Sequence, residues 1–522
     1  MSMFLNNVPK DNEFLYMVKN KYYVDKSNLI EKFNEIMDEH QHRFICITRP
    51  RRFGKSTNAL MLASYYCSAL DTRDVFSKLD INNSPSYYRH LNKHNVIFIP
   101  FNTGNYKFEG YEEYEKFFIE GLINDLKEIQ PDIDENKPIG KIFGEVYDKT
   151  DKKFIFIIDE WDYIFNKNLY TKDDRRNFLE FLEDLLKDKA YVEFAYMTGI
   201  LPIAKYSSGS SLNNFKEHDA ISDGVYDKYY GFLENEVEEL CKKQNKISME
   251  DLQEWYNGYY TSDGTRIYNP RSVVFALQDR TCKSYWTNTG RKNELADYIN
   301  TNVANVKEDI IAMMAGETLN IRLSGFDAIS KELDATRNLI LSALTILGFL
   351  SYHNNELRIP NKEIMLEFND ILTNNDIGGL QDVLKNSREM LQATIDKDTK
   401  KMEEIIEDAH NTYMSYFEYN TENSLSCIIA LVYLYARTTY NVKREDVSAK
   451  GRADFAFYPL NINKPAFIIE LKKDDTPENA IEQIKTREYF RNFKNYTGKK
   501  LLIGVTYDSK SKKHNVKIED LV

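Results

Sequence analysis

Asp454, Glu470 and Lys472 are the residues of this chain whose types and spacing best suit chemistry. They fall in Gly451-Arg452-Ala453-Asp454 and in the apolar run Ala466-Phe467-Ile468-Ile469, which ends in Glu470-Leu471-Lys472. Side chains alternate along a strand, so Glu470 and Lys472 share one face while Leu471 points to the other. Residues 454–458 read as a second strand headed by Asp454, and Pro459 to Pro465 read as the hairpin loop that folds it back. Two carboxylates and an ammonium then converge. That set suits phosphodiester hydrolysis, because Mg²⁺ takes one or two carboxylates, keeps several waters, polarises a phosphoryl oxygen and acidifies a bound water. Lys472 would hold or help deprotonate that water and offset charge on the phosphorane. The plainer alternative is a Glu/Lys pair on a solvated strand rim, which is common.

Two more residues extend the pattern. Gln483 lies in the helical stretch 478–485, and Glu422 opens the apolar helix 424–436. Together Glu422, Asp454, Glu470, Lys472 and Gln483 resemble the PD-(D/E)XK nuclease superfamily, in the helix, strand, strand, helix order of its core. The resemblance implies a C-terminal α/β restriction-endonuclease-like domain over 401–522, with these five as catalytic residues and Asp454 and Glu470 as metal ligands. The superfamily's Pro-Asp is Ala453-Asp454 here. Glu422, directly after Thr421, serves equally as a first-turn residue that complements the helix dipole.

A second motif lies near the N-terminus. Arg43 to Thr48 reads as a buried strand leading into Arg49-Pro50-Arg51-Arg52-Phe53-Gly54-Lys55-Ser56-Thr57 and then a helix through Leu60, Leu62 and Ala63. Strand, loop, Gly-Lys-Ser and helix is the P-loop arrangement: backbone N–H groups hold phosphates, the lysine reaches the β and γ phosphates, and the serine takes Mg²⁺. Arg49 stands where the motif has its first glycine. Arg51 and Arg52, with Phe53, Gly54 and Thr57 beside them, are candidates for phosphate contact, since arginine presents a planar donor fork. The run 152–158 followed by Asp159-Glu160 matches a Walker B strand at the carboxyl edge of a parallel sheet. Asp159 would hold Mg²⁺ through water and Glu160 would orient the attacking water. A third strand, 191–199, brings Thr198 to report on the γ-phosphate.

The chain as a whole resembles the AAA-ATPase-like proteins of bacteria and microbial eukaryotes whose P-loop reads R-P-R-R-F-G-K-S and whose C-terminus carries a PD-(D/E)XK domain. Arg49 to Ser56, Val24-Asp25-Lys26, Asp159-Glu160-Trp161-Asp162 and Thr198-Gly199 carry the likeness. So do 255–259, 268–273 and 285–290. The resemblance implies ATP and Mg²⁺ as cofactors, with Mn²⁺ as a substitute. It also implies an ATPase coupled to a DNA endonuclease in a defence or mobile-element setting. The alternative is a nucleotide-controlled switch or scaffold whose nuclease fold binds without cutting.

The positioning elements must come from more than one core, because 522 residues exceed what a single core supports. The expected class is α/β: a P-loop NTPase domain with a parallel sheet over 1–230, a helical or winged-helix-like connecting region over 231–400, and the nuclease-like domain. A strand near Phe98 to Phe108, helices over 111–126, 332–349 and 402–417, and a β-like insertion over 350–359 fill in the pattern. Residues 258–260 and 269–271 read as turns. The five cysteines form no C-x-x-C pair, which argues against a zinc site or a disulfide framework. Net charge is −12, yet from Asn441 onward 17 lysines and arginines face 12 acidic residues, a local +5 that would suit phosphates. Nucleic acid, DNA first, is the expected partner, and a second copy of the chain stays open. No basic-then-apolar start and no apolar run near about 18 residues is present, so a cytoplasmic location without membrane insertion is expected.

Overall fold

The computed structural model describes the chain apart from residues 1, 10–11, 40–41, 103–105, 168, 204–211, 220–223, 287–294, 296–302, 304, 324–335, 375–379, 414–421, 449, 462, 495 and 522. Two compact units result: Met1–Tyr285 with Leu323–Asp334 and Leu341–His353, and Trp286–Arg322 with Ala335–Ile340 and Asn354–Val522.

The first unit is built on a five-stranded sheet in the order Asn95–Pro100, Phe154–Asp159, Val192–Gly199, Phe44–Thr48, Lys216–His218, parallel throughout. Phe44–Thr48 and Phe154–Asp159 are buried at every position. Such unbroken apolar runs arise because both faces of a parallel sheet are covered. Alternation then sorts the strand residues. Cys46, Phe154, Phe156, Ile158 and Met197 pack with the helices Tyr111–Lys127, Ile139–Thr150 and Lys172–Leu186. Ile45, Ile47, Ile155, Ile157, Phe194 and Tyr196 pack with Asn28–Glu39 and Lys55–Tyr66. Register brings Pro100, Asp159 and Thr198 level with one another and pairs Thr48 with Gly199, so the polar strand ends meet at one edge.

The same unit continues into a small antiparallel sheet, Phe232–Leu233, Arg266–Tyr268, Tyr259–Tyr260, flanked by helices Glu234–Lys242, Met249–Tyr256 and Pro270–Asp279. The turn expected at 258–260 is therefore partly strand: Tyr259 is buried and its hydroxyl donates to the Gly348 carbonyl. At 269–271 the chain starts a helix. Asn269 caps it by accepting from the N–H groups of Arg271 and Ser272, and Pro270 fills the first helical position.

The second unit carries a mixed sheet in the order Tyr440–Ser448, Gly451–Pro459, Ala466–Lys473, Lys500–Asp508, Lys513–Asp520. The hairpin expected around 459–465 is present, with Phe455 opposite Ile469 and Phe457 opposite Phe467. Only the pairing of Ala466–Lys473 with Lys500–Asp508 is parallel. That crossover is the helix Pro477–Thr486, capped by Thr476 and buried through Ala480, Ile481 and Ile484. Helices Leu380–Asp396, Thr399–Tyr413 and Glu422–Val432 belong to the same unit. Of the other expected elements, 332–349 forms Arg337–Leu347 and 350–359 supplies the strands Ser351–His353 and Glu356–Arg358. Residues 332–335, 414–417 and 287–290, part of those expectations, lie outside the described residues. Among the described residues no helix is long and apolar enough to cross a membrane.

The crossover helix sits so close to the sheet that a Cβ on Gly504 would overlap the Pro477 carbonyl. Gly504→Ala is therefore expected to cost about 1–3 kcal/mol by overpacking, read as a lowered urea midpoint with an unchanged slope.

Candidate functional site

At the carboxyl edge of the parallel sheet, Gly54 takes a left-handed φ of 87° and hands over to the helix Lys55–Tyr66 with no side-chain cap. The first N–H groups of that helix thus point at the loop without intrahelical partners, the arrangement that suits an anion. Lys55 is buried, and its Nζ donates to the carbonyls of Arg49 and Pro50 at 2.9 and 2.8 Å. Burial brings its pKa down to about 8, with Asp162 and Asp159 opposing the fall and Arg51 adding to it. Asp159 is buried as well, and burial lifts it to about 6 while a hydrogen bond with the Ser56 side chain works the other way. Glu160 follows at φ 55°, a left-handed conformation uncommon for a residue with a Cβ.

The remaining predicted residues divide. Ser56 meets Asp159, and the charge of Arg51 reaches Lys55. Thr198 donates its hydroxyl to the Ile47 carbonyl at 3.0 Å. Thr57 turns toward the Met17 sulfur at 3.6 Å. Arg52, at φ 69°, donates to the Tyr285 carbonyl, and Phe53 stands edge-on to Tyr259 at 5.0 Å. Arg49 is sealed inside: its guanidinium donates to the carbonyls of Thr48 and His218 and pairs with Asp227 at 3.0 Å.

Two residues have positions that sequence gave no role. Asp227, 178 residues from Arg49, offers no spacing signal. Asp162 is two residues beyond Glu160, and its Oδ2 accepts from the N–H groups of Ile200 and Leu201 at 3.1 and 3.0 Å. Trp161 meanwhile packs so tightly on Gly199 that a Cβ there would collide with the indole. The spacing Asp-Glu-x-Asp was the available signal for this clamp on the turn after Thr198.

In the second unit the hairpin brings Asp454 and Glu470 together. Glu470 is 2% exposed; its Oε1 accepts from Gln483 Nε2 and lies 3.5 Å from Lys472 Nζ, while Oε2 is buried without a hydrogen-bond partner. Asp454 Oδ2 accepts from the Leu471 N–H at 2.7 Å. Burial first, and the Asp454 charge second, push Glu470 up to about 8, against the pull of Lys472. Gln483 also lies 3.4 Å from the Tyr489 hydroxyl, a neighbour the sequence reading missed. Glu422 opens the helix Glu422–Val432, and its side chain lies outside the described ones. Of the basic surplus, Lys485 is paired with Glu519 and Arg491 with Glu488.

A divalent ion would meet two facing carboxylates, one with an unsatisfied buried oxygen, and the chemistry of that donor set fits Mg²⁺ completed by water or substrate oxygens. Among the described residues no group of three or more His, Cys, Asp or Glu side chains converges as a metal cage.

Comparison with known proteins agrees with both halves. Residues 13–208 match the family model described as predicted AAA-ATPase, and residues 421–517 match the PD-(D/E)XK nuclease superfamily. An N-terminal AAA-ATPase-like region and a C-terminal PD-(D/E)XK nuclease superfamily domain are thus both present in the chain. An "uncharacterized protein in vnfD 5'region" of Azotobacter chroococcum mcd 1 is 24% identical over 511 residues, spanning 94% of each chain. The Aeropyrum pernix ORC2 protein, in ADPNP–ADP complexes, is 11% identical at TM-score 0.34, covering 68% of this chain and 96% of its own. The Walker-type ATPase paby2304 of Pyrococcus abyssi is 13% identical at TM-score 0.33, covering 65% and 95%. Both structural likenesses are too loose to define the fold.

Two predictions follow from the buried charges. Asp227→Asn removes a charge that pairs with the buried Arg49 guanidinium and is expected to cost about 3–5 kcal/mol in chemical denaturation. Glu470 stays protonated in the folded chain up to about pH 8, whereas its ordinary value is 4.5. The folded state therefore binds more protons across that window, and stability falls as pH rises through it. Glu470→Gln removes the effect: unfolding at pH 9 should show it more stable than the parent by on the order of a few kcal/mol, with little difference near pH 4.

Proposed function

We propose that this chain is an ATP-binding protein and ATPase whose N-terminal region governs a Mg²⁺-dependent DNA endonuclease at its C-terminus. The observation that carries the reading is the pairing of Asp454 with a buried Glu470 whose Oε2 has no hydrogen-bond partner, flanked by Lys472 and Gln483. Asp454 and Glu470 would hold the divalent cation, which when bound supplies Lewis-acid polarisation of the scissile phosphate and an acidified water. Lys472 would hold a water beside the scissile phosphate and offset charge at the phosphoryl oxygens. Gln483 keeps Glu470 oriented through Oε1, and Glu422 would join from its helix start.

In the N-terminal region, Lys55 would leave the Arg49 and Pro50 carbonyls for the β and γ phosphates, a better partner for a buried cation than two neutral oxygens. Ser56 and Asp159 would hold the nucleotide's Mg²⁺, and Glu160 would orient the attacking water. Backbone at Phe53, Gly54 and Thr57, with Arg51 and Arg52, would line the phosphates, and Thr198 would sense the terminal one. On this reading the ATPase region spans 1–230, a helical lid 231–400 and the restriction-endonuclease-like domain 401–522, in a cytoplasmic protein acting on DNA. One observation favours a second reading, a nucleotide-controlled switch that binds without cutting: Gln483 and Lys472 already occupy Glu470 Oε1.

The test is cleavage of circular and linear DNA with Mg²⁺ or Mn²⁺, with and without ATP, by the intact chain, Asp454→Ala and Lys55→Ala. Cutting that falls to background in Asp454→Ala and loses its ATP dependence in Lys55→Ala is expected. Cutting no greater than the Asp454→Ala background under every condition would leave the switch as the better account.

A further inference from the structure

Four side chains at the amino ends of the strands, opposite the P-loop edge, make an unbroken line. Asp38 is the next-to-last residue of the helix Asn28–Glu39, His90 ends the short helix Tyr87–His90, His94 precedes the strand Asn95–Pro100, and Glu193 lies in Val192–Gly199. His90 Nε2 is 3.2 Å from Asp38 Oδ1, His90 Nδ1 is 3.0 Å from His94 Nε2, and His94 Nδ1 is 2.9 Å from Glu193 Oε2. The two rings are inclined by only 14° with centroids 5.2 Å apart. That separation is close to the N···N distance plus the two ring radii, so the rings meet edge to edge and the facing nitrogens point along one line.

Three contacts at hydrogen-bond distance need three hydrogens. A neutral imidazole carries one N–H and an ionised carboxylate none, so the two histidines supply two. With only two, either the facing nitrogens oppose lone pair to lone pair or a ring nitrogen's lone pair faces a carboxylate oxygen. We propose that Asp38, His90, His94 and Glu193 form a proton-binding site, holding one proton beyond those of two neutral histidines and shared along the His90–His94 contact.

The surroundings accommodate one such charge. Asp38 also pairs with Arg89, Lys153 acts on Glu193 from just before the neighbouring strand Phe154–Asp159, and the Tyr66 ring lies edge-on to His94 at 5.6 Å. Tyr66 donates its hydroxyl to Asn34 and so faces the chain as a neutral group. Burial first, and the neighbouring His94 second, hold His90 below its ordinary range against the pull of Asp38 and Glu193, so the extra proton sits toward His94. A proton held along this contact stabilises the fold for as long as it is bound, and its contribution fades as pH rises and the proton leaves. The site therefore adds a proton-dependent link between the end of the helix Asn28–Glu39 and the base of the sheet, beside the apolar packing that holds the helix there.

Glu193→Gln tests the count directly. The amide supplies the third hydrogen itself, to His94 Nδ1, so every contact is met by two neutral imidazoles. The full chain, ¹⁵N-labelled at histidine, should show one imidazolium at pH 7.5, a strongly downfield proton and scalar coupling between His90 Nδ1 and His94 Nε2. His90→Gln and His94→Gln assign the signals. Glu193→Gln should lose the imidazolium at that pH while keeping the N–N coupling. Two neutral imidazoles in the parent chain at pH 7.5, or an imidazolium that persists in Glu193→Gln, would overturn the proposal. If Glu193→Gln fails to fold, the parent spectrum alone decides.

Discussion

A guanidinium with almost no access to water cannot be left without compensation, and in this chain Arg49 occupies the position where a P-loop turns on glycine. Its own N–H is tied to the Gly199 carbonyl, its side chain to the His218 carbonyl and to Asp227, and Asp227 in turn accepts from the Ser262 N–H. The start of the phosphate loop, the edge strand Lys216–His218 and the turn before Arg266–Tyr268 thus share one charge pair. A glycine would have left the loop's course to backbone torsions alone. Here side chains fix it, and Lys55 folds back onto the loop so defined.

A second constraint governs the other unit. A parallel pair cannot be closed by a tight turn, and the one parallel step in the C-terminal sheet requires a crossover. The helix that makes it lies on the sheet face over Glu470, and its second turn carries Gln483 onto that carboxylate. Topology, rather than any local preference of residues 478–485, sets the distance between the amide and the acid. Gly504 records how little room the crossing leaves.

Much of this was legible in the sequence where signal is local. Residues 43–48 and 152–159 announce buried strands because apolar runs end in polar groups. The hairpin carrying Asp454 and Glu470 could be drawn because its loop is bounded by Pro459 and Pro465. Long-range pairing was not legible: no pattern links Arg49 to Asp227 or His94 to Glu193, residues joined only by tertiary structure. Gly258-Tyr259-Tyr260 reads as a turn, yet burial of Tyr259 against Phe53 recruits the tyrosines into a strand. Asp162 was visible as a residue but not as a clamp, because the amides it holds come from another strand's end.

The sheet of the second unit ends on both sides in strands dense with charge. Tyr440–Ser448 carries Lys443, Arg444, Glu445 and Asp446 in succession, and Lys513–Asp520 carries Lys513, Lys517, Glu519 and Asp520. An incoming strand of another molecule would have to strip water from the exposed members of this set, or break the bonds of the others, to reach the edge backbone. Growth of the sheet by edge-to-edge addition, the first step toward cross-β assembly, is opposed at both rims, and on the Lys513–Asp520 side the Val516 N–H is already taken by the Glu403 carboxylate at 2.8 Å.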